Sequence, residues 1–142
     1  MKIAILGKGK LKHSLEWYKE NSFILWTVGT ADYPDCDRYF ELHGIQTKHK
    51  CDKIEPFVYE LARRHRIPIN NSISAMIVNA LAIDMVMVGD ELENLIIDGC
   101  PMNAKAEYEQ QKPALALVVG FMRGKGYRID WTDEPENIEY GR

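Results

Sequence analysis

KIAILGKGK, residues 2–10 of the chain, indicates the class of fold. Lys2–Leu6 is a short apolar run that ends at Gly7, a pattern typical of a buried β-strand. The residues that follow place apolar side chains at helical spacing, which predicts a helix over Lys10–Lys19. The segment therefore predicts a strand, a Gly-rich turn and a helix in direct succession.

Strand and helix patterns alternate along the rest of the chain. Aromatic, β-branched or apolar runs predict further strands at Phe23–Val28, Arg38–Leu42, Arg66–Ile69, Leu95–Ile97 and Tyr127–Trp131. Helices are predicted at Pro56–His65, Ile73–Val88 and Pro113–Arg123. Because the strands are too continuously apolar for a sheet with one wet face, we expect helices on both faces. The prediction is an α/β, Rossmann-like three-layer sandwich with a mostly parallel sheet of about six strands.

The composition is that of one globular domain. With 142 residues, of which 46% are hydrophobic and 27% charged, the chain is long enough to bury a core. We expect the domain to cover residues 1–131 and an acidic, mobile tail to cover residues 132–142. The net charge of -3 argues against a dedicated nucleic-acid-binding protein.

No segment is predicted to cross a membrane or to direct secretion. The most apolar run, Ile73–Val88, is shorter than the about 20 residues that a spanning helix needs. The apolar run near the N-terminus is too short for a signal peptide. We therefore expect a cytoplasmic protein.

The three cysteines, Cys36, Cys51 and Cys100, are widely spaced and do not predict a disulfide framework. Together with His43 and His49, the first two form a loose set of side chains that can bind zinc. Their spacing matches no zinc finger or ribbon, and a CxxC pair is lacking. Ordinary reduced thiols are the preferred interpretation, and no metal site is predicted.

Candidate ligand-binding residues follow the predicted strands. In parallel α/β sheets, ligands bind beyond the carboxyl ends of the strands, near the point where strand order reverses. The segments concerned are residues 7–10, 29–32, 43–44, 70–74 and 98–103. The residues predicted to contact a phosphate or nucleotide are Gly7, Lys8, Gly9, Lys10, Thr30, Asn71, Ser72, Ser74, Asp98 and Asn103. His43 is the candidate general base, because histidine is the side chain that most often fills this role.

The turn from Gly7 to Lys10 is the first candidate for a phosphate site. Glycine lets backbone N–H groups approach a phosphate, and the N-terminus of the following helix adds positive potential. The lysines at positions 8, 10 and 12 add formal charge. A complete G-x-G-x-x-G fingerprint would require glycine in place of Lys12, and the G-K-[ST] motif is also absent. A tight turn with solvated lysines is the alternative interpretation.

Asn71, Ser72 and Ser74 lie where the apolar helix begins. One such side chain suffices to cap a helix, and the others predict contacts with a ligand. The polar side chains of Asp98, Asn103 and the residues up to Gln111 predict a polar wall, with a solvated loop as the alternative.

Several motifs resemble those of a set of small, uncharacterised Rossmann-like proteins encoded by bacteriophages. Besides the N-terminal strand, turn and helix, they are Arg38–His43, Asn71–Ser74, Leu95–Gly99, Glu107–Pro113 and Phe121–Gly126. The resemblance covers the chain up to Trp131 and implies a phage protein that acts in the host cytoplasm.

The layout resembles, more distantly, the nucleotide-binding domain of bacterial sialyltransferases. In that family a Gly-Asn-Gly-Pro-Ser turn holds the phosphate of a cytidine nucleotide sugar, and the matching positions here are Gly7–Leu11. The Asn, Pro and Ser of that turn are missing. Of the family's later Thr-Ser-Gly junction, only Ser72 has a match. The resemblance implies binding of a nucleotide or nucleotide sugar, whereas the family's transferase motif is incomplete.

These observations predict a protein that binds a small phosphate-bearing molecule, a nucleotide or nucleotide sugar. It would act as a small glycosyltransferase-like enzyme or would sequester the nucleotide, and a homo-oligomer is compatible with the sequence. The alternative is a non-catalytic protein-interaction module on a Rossmann-like scaffold, with the helix Ile73–Val88 contributing to a dimer. A dinucleotide oxidoreductase, with Asp32 on a ribose hydroxyl, is the third interpretation.

Overall fold

The computed structural model describes residues 1–86, 91–101 and 108–134. In chain order, its strands and helices are β1 (Lys2–Leu6), α1 (Leu15–Glu20), β2 (Phe23–Val28), β3 (Arg38–Phe40), α2 (Pro56–Arg64), α3 (Ser72–Val86), β4 (Asn94–Asp98), α4 (Tyr108–Gly124) and β5 (Ile129–Trp131).

The strands form one sheet in the order β3-β2-β1-β4-β5, and every neighbouring pair is parallel. β1 is central, because Lys2 pairs with Phe23 of β2 on one side and with Asn94 of β4 on the other. The chain first fills one side of β1 with β2 and β3, and later fills the other side with β4 and β5. Strand order therefore reverses between β1 and β4, which creates a switch point at their carboxyl ends.

Helices cover both faces of the sheet, which confirms the predicted α/β, Rossmann-like class. On one face, Tyr18 of α1 packs in a core with Ala4 and Leu6. On the other face, α2, α3 and α4 pack over Ile3 and Ile5. The alternation along β1 is that of a strand buried on both sides.

The apolar helix α3 lies within the protein's own core. Every side chain from Ile73 to Ala82 is buried, including the polar Ser74 and Asn79. The helix contacts α2, α4 and β1. Over these residues its apolar surface is therefore used inside the chain, so this part of α3 exposes no apolar seam for a second copy.

The predicted strand at Arg66–Ile69 is wrong, and the described part of the sheet has five strands, not about six. Arg66 adopts a left-handed backbone conformation with φ 54°. The Arg66 N–H donates to the carbonyl of Arg63, and the Ile67 N–H donates to that of Ala62. These bonds close the C-terminus of α2, so the segment serves as a helix cap.

The first helix begins later than the predicted Lys10, at Leu15. The backbone N–H groups of Lys12 and His13 donate to the carboxylate of Asp98, which holds this segment out of a helix. Ser14 then caps α1 by accepting a hydrogen bond from the Trp17 N–H.

Other boundaries also differ from the predictions by one or more residues, among them those of β3, α4 and β5. β3 ends at Phe40, because the Glu41 N–H donates to the carbonyl of Asp52 outside the sheet. α4 begins at Tyr108 and contains Pro113 inside it. β5 is limited to Ile129–Trp131. The predicted end of the apolar helix at Val88 lies outside the described residues.

The first residues of the predicted tail are anchored. Thr132 donates its N–H to Ile97, and Asp133 accepts a 3.0 Å hydrogen bond from the N–H of Cys100. Glu134 forms an ion pair with Arg123. The remainder of the predicted tail, residues 135–142, lies outside the described residues. Where the chain is described, no helix is both long and apolar enough to cross a membrane.

Candidate functional site

A cavity of about 590 Å³ opens at the carboxyl edge of the sheet. Residues 7–9, 28–30, 40–43, 70–73 and 99–101, together with Ile45, line it. All five segments that the sequence predicted as ligand sites contribute to this one cavity. It spans the switch point between β1 and β4 and extends over β2 to the end of β3.

The glycines at the switch point are explained by the close approach of two turns. A Cβ atom on Gly7 would collide with the carbonyl oxygen of Gly99 and would lie 2.5 Å from the sulfur of Cys100. One on Gly9 would lie 2.8 Å from the same carbonyl oxygen. The N–H groups of both glycines are already bonded, Gly7 to Asp98 O and Gly9 to Gly99 O, each at 2.8 Å. These two N–H groups therefore join the β1 and β4 turns, and the glycines shape the cavity wall by lacking side chains.

The N-terminus of α3 forms another part of the wall. Asn71 is the cap, since its Oδ1 accepts a 2.8 Å hydrogen bond from the Ser74 N–H. Ser72 is thus free of the capping role, and its side chain makes no hydrogen bond within the described part of the chain. The helix end supplies a partial positive charge to the cavity.

Gly29 and Thr30 continue the wall beyond β2. A Cβ atom on Gly29 would collide with the sulfur of Cys51 and lie 3.1 Å from the methyl carbon of Thr47. Residues 47–51 therefore pack directly against the end of β2. Thr30 is exposed at the cavity.

His43 lines the cavity on a turn that Glu41 orders. The Glu41 carboxylate accepts hydrogen bonds from the N–H groups of His43, at 2.6 Å, and Gly44, at 2.7 Å. These backbone donors lower the pKa of Glu41. Gly44 has a φ of 69°, which favours glycine. The His43 ring is exposed and has no hydrogen-bond partner among the described residues to orient it.

Cys100 lines the cavity as a neutral thiol. Burial raises its pKa to about 12, and the carboxylates of Asp133 and Asp98 act in the same direction. A thiol of this kind is not a nucleophile at neutral pH. The described residues include no group of three or more His, Cys, Asp or Glu side chains placed to hold a metal ion.

Asp98 lies outside the cavity lining, and both oxygens of its buried carboxylate accept hydrogen bonds. It accepts hydrogen bonds from the Tyr18 hydroxyl at 2.6 Å, from the Thr132 hydroxyl at 2.7 Å, and from the N–H groups of Lys12, His13 and Gly99. Burial opposes ionisation, yet these donors together lower the pKa of Asp98. We name this set of six residues the Asp98 network.

The structure thus divides the predicted site residues. The cavity is lined by Gly7, Lys8, Gly9, Thr30, His43, Asn71 and Ser72. Lys10, Ser74 and Asp98 are not among the lining residues, and Asn103 lies outside the described residues. Ser74 is wholly buried, and its hydroxyl has no hydrogen-bond partner among the described residues.

Sequence reasoning missed much of the apolar lining, chiefly Phe40, Leu42 and Ile45. Phe40 was assigned to a strand, and its position at the strand's end is the signal that could have found it. Asp32, considered for a ribose hydroxyl, is paired with Lys48 at 2.8 Å and does not line the cavity.

Comparison with known proteins does not place the site in a family. No family model matches the chain, and neither a curated protein nor a solved structure matches it significantly. The resemblances to phage proteins and to sialyltransferases therefore stay predictions.

Proposed function

We propose that this protein binds a small phosphate-bearing ligand, a nucleotide or nucleotide sugar, in the cavity at the carboxyl edge of its sheet. The observation that carries the proposal is the convergence of five strand-end segments on one cavity of about 590 Å³ at the switch point. Ligand sites of open parallel sheets occupy this position, and the volume lies within the range of small-molecule sites.

The polar groups of the cavity favour an anion. Lys8 supplies a formal positive charge, and the N-terminus of the 15-residue helix α3 adds a partial one. The hydroxyls of Ser72 and Thr30 make no hydrogen bond with any described residue, whereas the Glu41 carboxylate accepts hydrogen bonds from backbone N–H groups. We place the phosphate against Lys8 and Ser72.

The apolar end of the cavity favours an organic group next to that phosphate. Phe40, Leu42 and Ile45 lie beyond β2, on the side of the cavity away from β4. Ile45 is 53% exposed, a large exposed fraction for an isoleucine beside a cavity. A base or sugar on this surface would cover it from water.

Binding without turnover is the form of the proposal that we favour. Acid–base catalysis requires a base held in place, usually by a third group. The exposed ring of His43 has no such partner among the described residues. Incubation with nucleotide sugars followed by product analysis separates sequestration from glycosyl transfer, and turnover that survives His43→Ala would exclude His43 as the base.

The test is a thermal-shift and calorimetric panel of CMP, CDP, CMP- and UDP-sugars, NAD, ADP-ribose and cyclic dinucleotides. A ligand at 100 times its Kd stabilises the folded state by about 2.7 kcal/mol, enough to raise the Tm by several degrees. Native mass spectrometry of the freshly purified protein reports any ligand that is already bound.

Lys8→Ala and Lys10→Ala form a matched pair for this test. Both side chains are exposed and lie on the same turn, but only Lys8 lines the cavity. We expect Lys8→Ala to weaken binding at least about fivefold, since it removes a charge-assisted contact, and Lys10→Ala to leave it nearly unchanged. An equal effect of both variants would place the ligand elsewhere. Indifference to the whole panel would favour the interaction module.

A further inference from the structure

Another lysine, Lys48, lies beside the cavity, on a segment that the proposed function does not use. Lys48 forms an ion pair with Asp32 at 2.8 Å. Asp32 follows Thr30, a cavity residue, by two positions. Lys48 belongs to the segment 47–51 that packs against Gly29, another cavity residue. The ion pair is therefore placed at the β2 side of the cavity mouth.

The segment that carries Lys48 is held in a defined position. The Thr47 hydroxyl donates a 2.8 Å hydrogen bond to the carbonyl of His49. The His49 ring stacks on that of Tyr39 with their centroids 3.9 Å apart. The backbone on both sides of Lys48 is thus fixed, whereas its ammonium group lies at the end of an exposed, flexible side chain.

Two lysines act on the carboxylate of Asp32. The hydrogen bond and the charge of Lys48 lower the pKa of Asp32, and His49 and Lys8 lower it further through their charges. Lys8 itself lines the cavity. Asp32 is thus paired with Lys48 and lies within electrostatic range of Lys8, a lysine of the cavity lining.

The ion pair can be exchanged at little cost. The side chain of Lys48 is 66% exposed and that of Asp32 is 92% exposed. Exposed pairs of this kind contribute little to stability, because water solvates both partners when they separate. A doubly or triply charged phosphate in the cavity mouth would compete well with a single carboxylate for Lys48.

We propose that the ligand carries two linked phosphates, and that Lys48 leaves Asp32 to bind the second phosphate at the mouth of the cavity. This inference rests on the proposed function and narrows its ligand to diphosphates, that is, nucleoside diphosphates or sugars linked through a diphosphate. The first phosphate occupies the position against Lys8 and Ser72. Asp32 then acts as the counter-ion of Lys48 in the empty protein.

The test compares matched phosphates by calorimetry in EDTA: inorganic phosphate with pyrophosphate, CMP with CDP, and AMP with ADP. We expect the diphosphate of each pair to bind about tenfold more tightly, the effect of one additional charge-assisted contact. Lys48→Ala should abolish this preference and leave the monophosphate affinity within about twofold, because an exposed lysine outside the cavity does not touch the first phosphate.

Two further variants make the test specific. Asp32→Asn removes the competing carboxylate and should strengthen diphosphate binding a few-fold, whereas a loss of binding would contradict the exchange. Lys50→Ala, an exposed lysine on the same segment, should change neither affinity. Equal binding of mono- and diphosphates, or an equal loss of both in Lys48→Ala, overturns the inference while the proposed function stands. If the wild-type protein binds no member of any pair and no member of the wider panel, the proposed function and the inference fail together.

Discussion

The Asp98 network and the cavity are both built from polar residues that follow strands, but these residues differ in how they are bonded. In the network, the carboxylate at the end of β4 is wholly buried and accepts hydrogen bonds from five residues. In the cavity, Lys8, Thr30 and Ser72 make no side-chain hydrogen bond within the described part of the chain. Polar residues after a strand thus differ in whether the fold already uses their hydrogen-bonding groups, and only unused groups are available to a ligand.

Gly7 and Gly9, in the turn after β1, serve the fold, as the Asp98 network does. Gly7 and Gly9 occur in a pattern that suggests a phosphate loop, yet the N–H groups of both bind carbonyls of the β4 turn. The positive charges at the cavity are instead that of Lys8 and the partial charge at the N-terminus of α3. A Gly-rich turn after the first strand is therefore compatible with a purely structural use of its glycine N–H groups.

The largest expected effect comes from removing the acceptor of the network. Asp98→Ala leaves the hydroxyls of Tyr18 and Thr132 without their partner, and hydrogen bonds to a charged group contribute about 1.5 to 3 kcal/mol each. We expect a loss of at least about 3 kcal/mol in the free energy of unfolding, measured by urea denaturation. Asp35→Ala, an exposed carboxylate, is the control and should change stability by less than about 0.5 kcal/mol. Equal effects would show that the network is not structural.

The same network predicts a dependence of stability on pH. Because the pKa of Asp98 is lowered by folding, its stabilising effect is present above the unfolded pKa of about 3.9 and is lost as pH falls through the lower folded value. The difference in unfolding free energy between the wild type and Asp98→Asn should therefore be largest near neutral pH and shrink below about pH 4. Urea denaturation at several pH values measures it, and a constant difference would contradict the lowered pKa.

A smaller effect on stability is expected where the turn after β1 contacts the turn after β4. Gly7→Ala should destabilise the protein by about 1 to 3 kcal/mol, because its methyl group would overlap the backbone of Gly99. Gly120→Ala is the control. Position 120 is in α4 with nothing within 4 Å of a Cβ atom, and alanine should stabilise the helix by about 0.5 to 1 kcal/mol. If Gly7→Ala left the free energy of unfolding unchanged, the close contact between the two turns would be contradicted.

The smallest effect separates the cap of α3 from its neighbour in the cavity. Asn71→Ala should cost about 1 kcal/mol, since the hydrogen bond to the Ser74 N–H is lost. Ser72→Ala should change stability by less than about 0.5 kcal/mol, because its hydroxyl has no partner in the described chain. Thermal unfolding compares the two. A larger effect of Ser72→Ala than of Asn71→Ala would assign the hydroxyl to the fold instead of to a ligand.

The sequence predicts local elements well because their signals are local. The apolar run at Lys2–Leu6 is β1 as predicted, and Phe23–Val28 is β2 with the predicted bounds. The segment Arg66–Ile69 has a strand-like composition, but the left-handed Arg66 and the cap of α2 exclude a strand there. No pattern within four residues reveals that cap.

The position of the candidate site was predictable, whereas the roles of its residues were not. The rule that ligands bind at strand ends identified segments that all reach the cavity. The use of Asp98 depends on Tyr18, which is 80 residues away in the sequence, and on Thr132, which is 34 residues away. Such partners become known only once the chain is folded.

The Asp98 network also has a consequence for the order in which the chain folds. The turn after β1 is synthesised before β4, but its N–H groups at Lys12 and His13 donate to a carboxylate 86 and 85 residues later in the chain. That carboxylate is itself completed by Thr132, on the turn after β5. The turn after β1 therefore gains these hydrogen bonds only once β4 and the residue after β5 have been synthesised, and until then the wall of the future cavity at β1 lacks them.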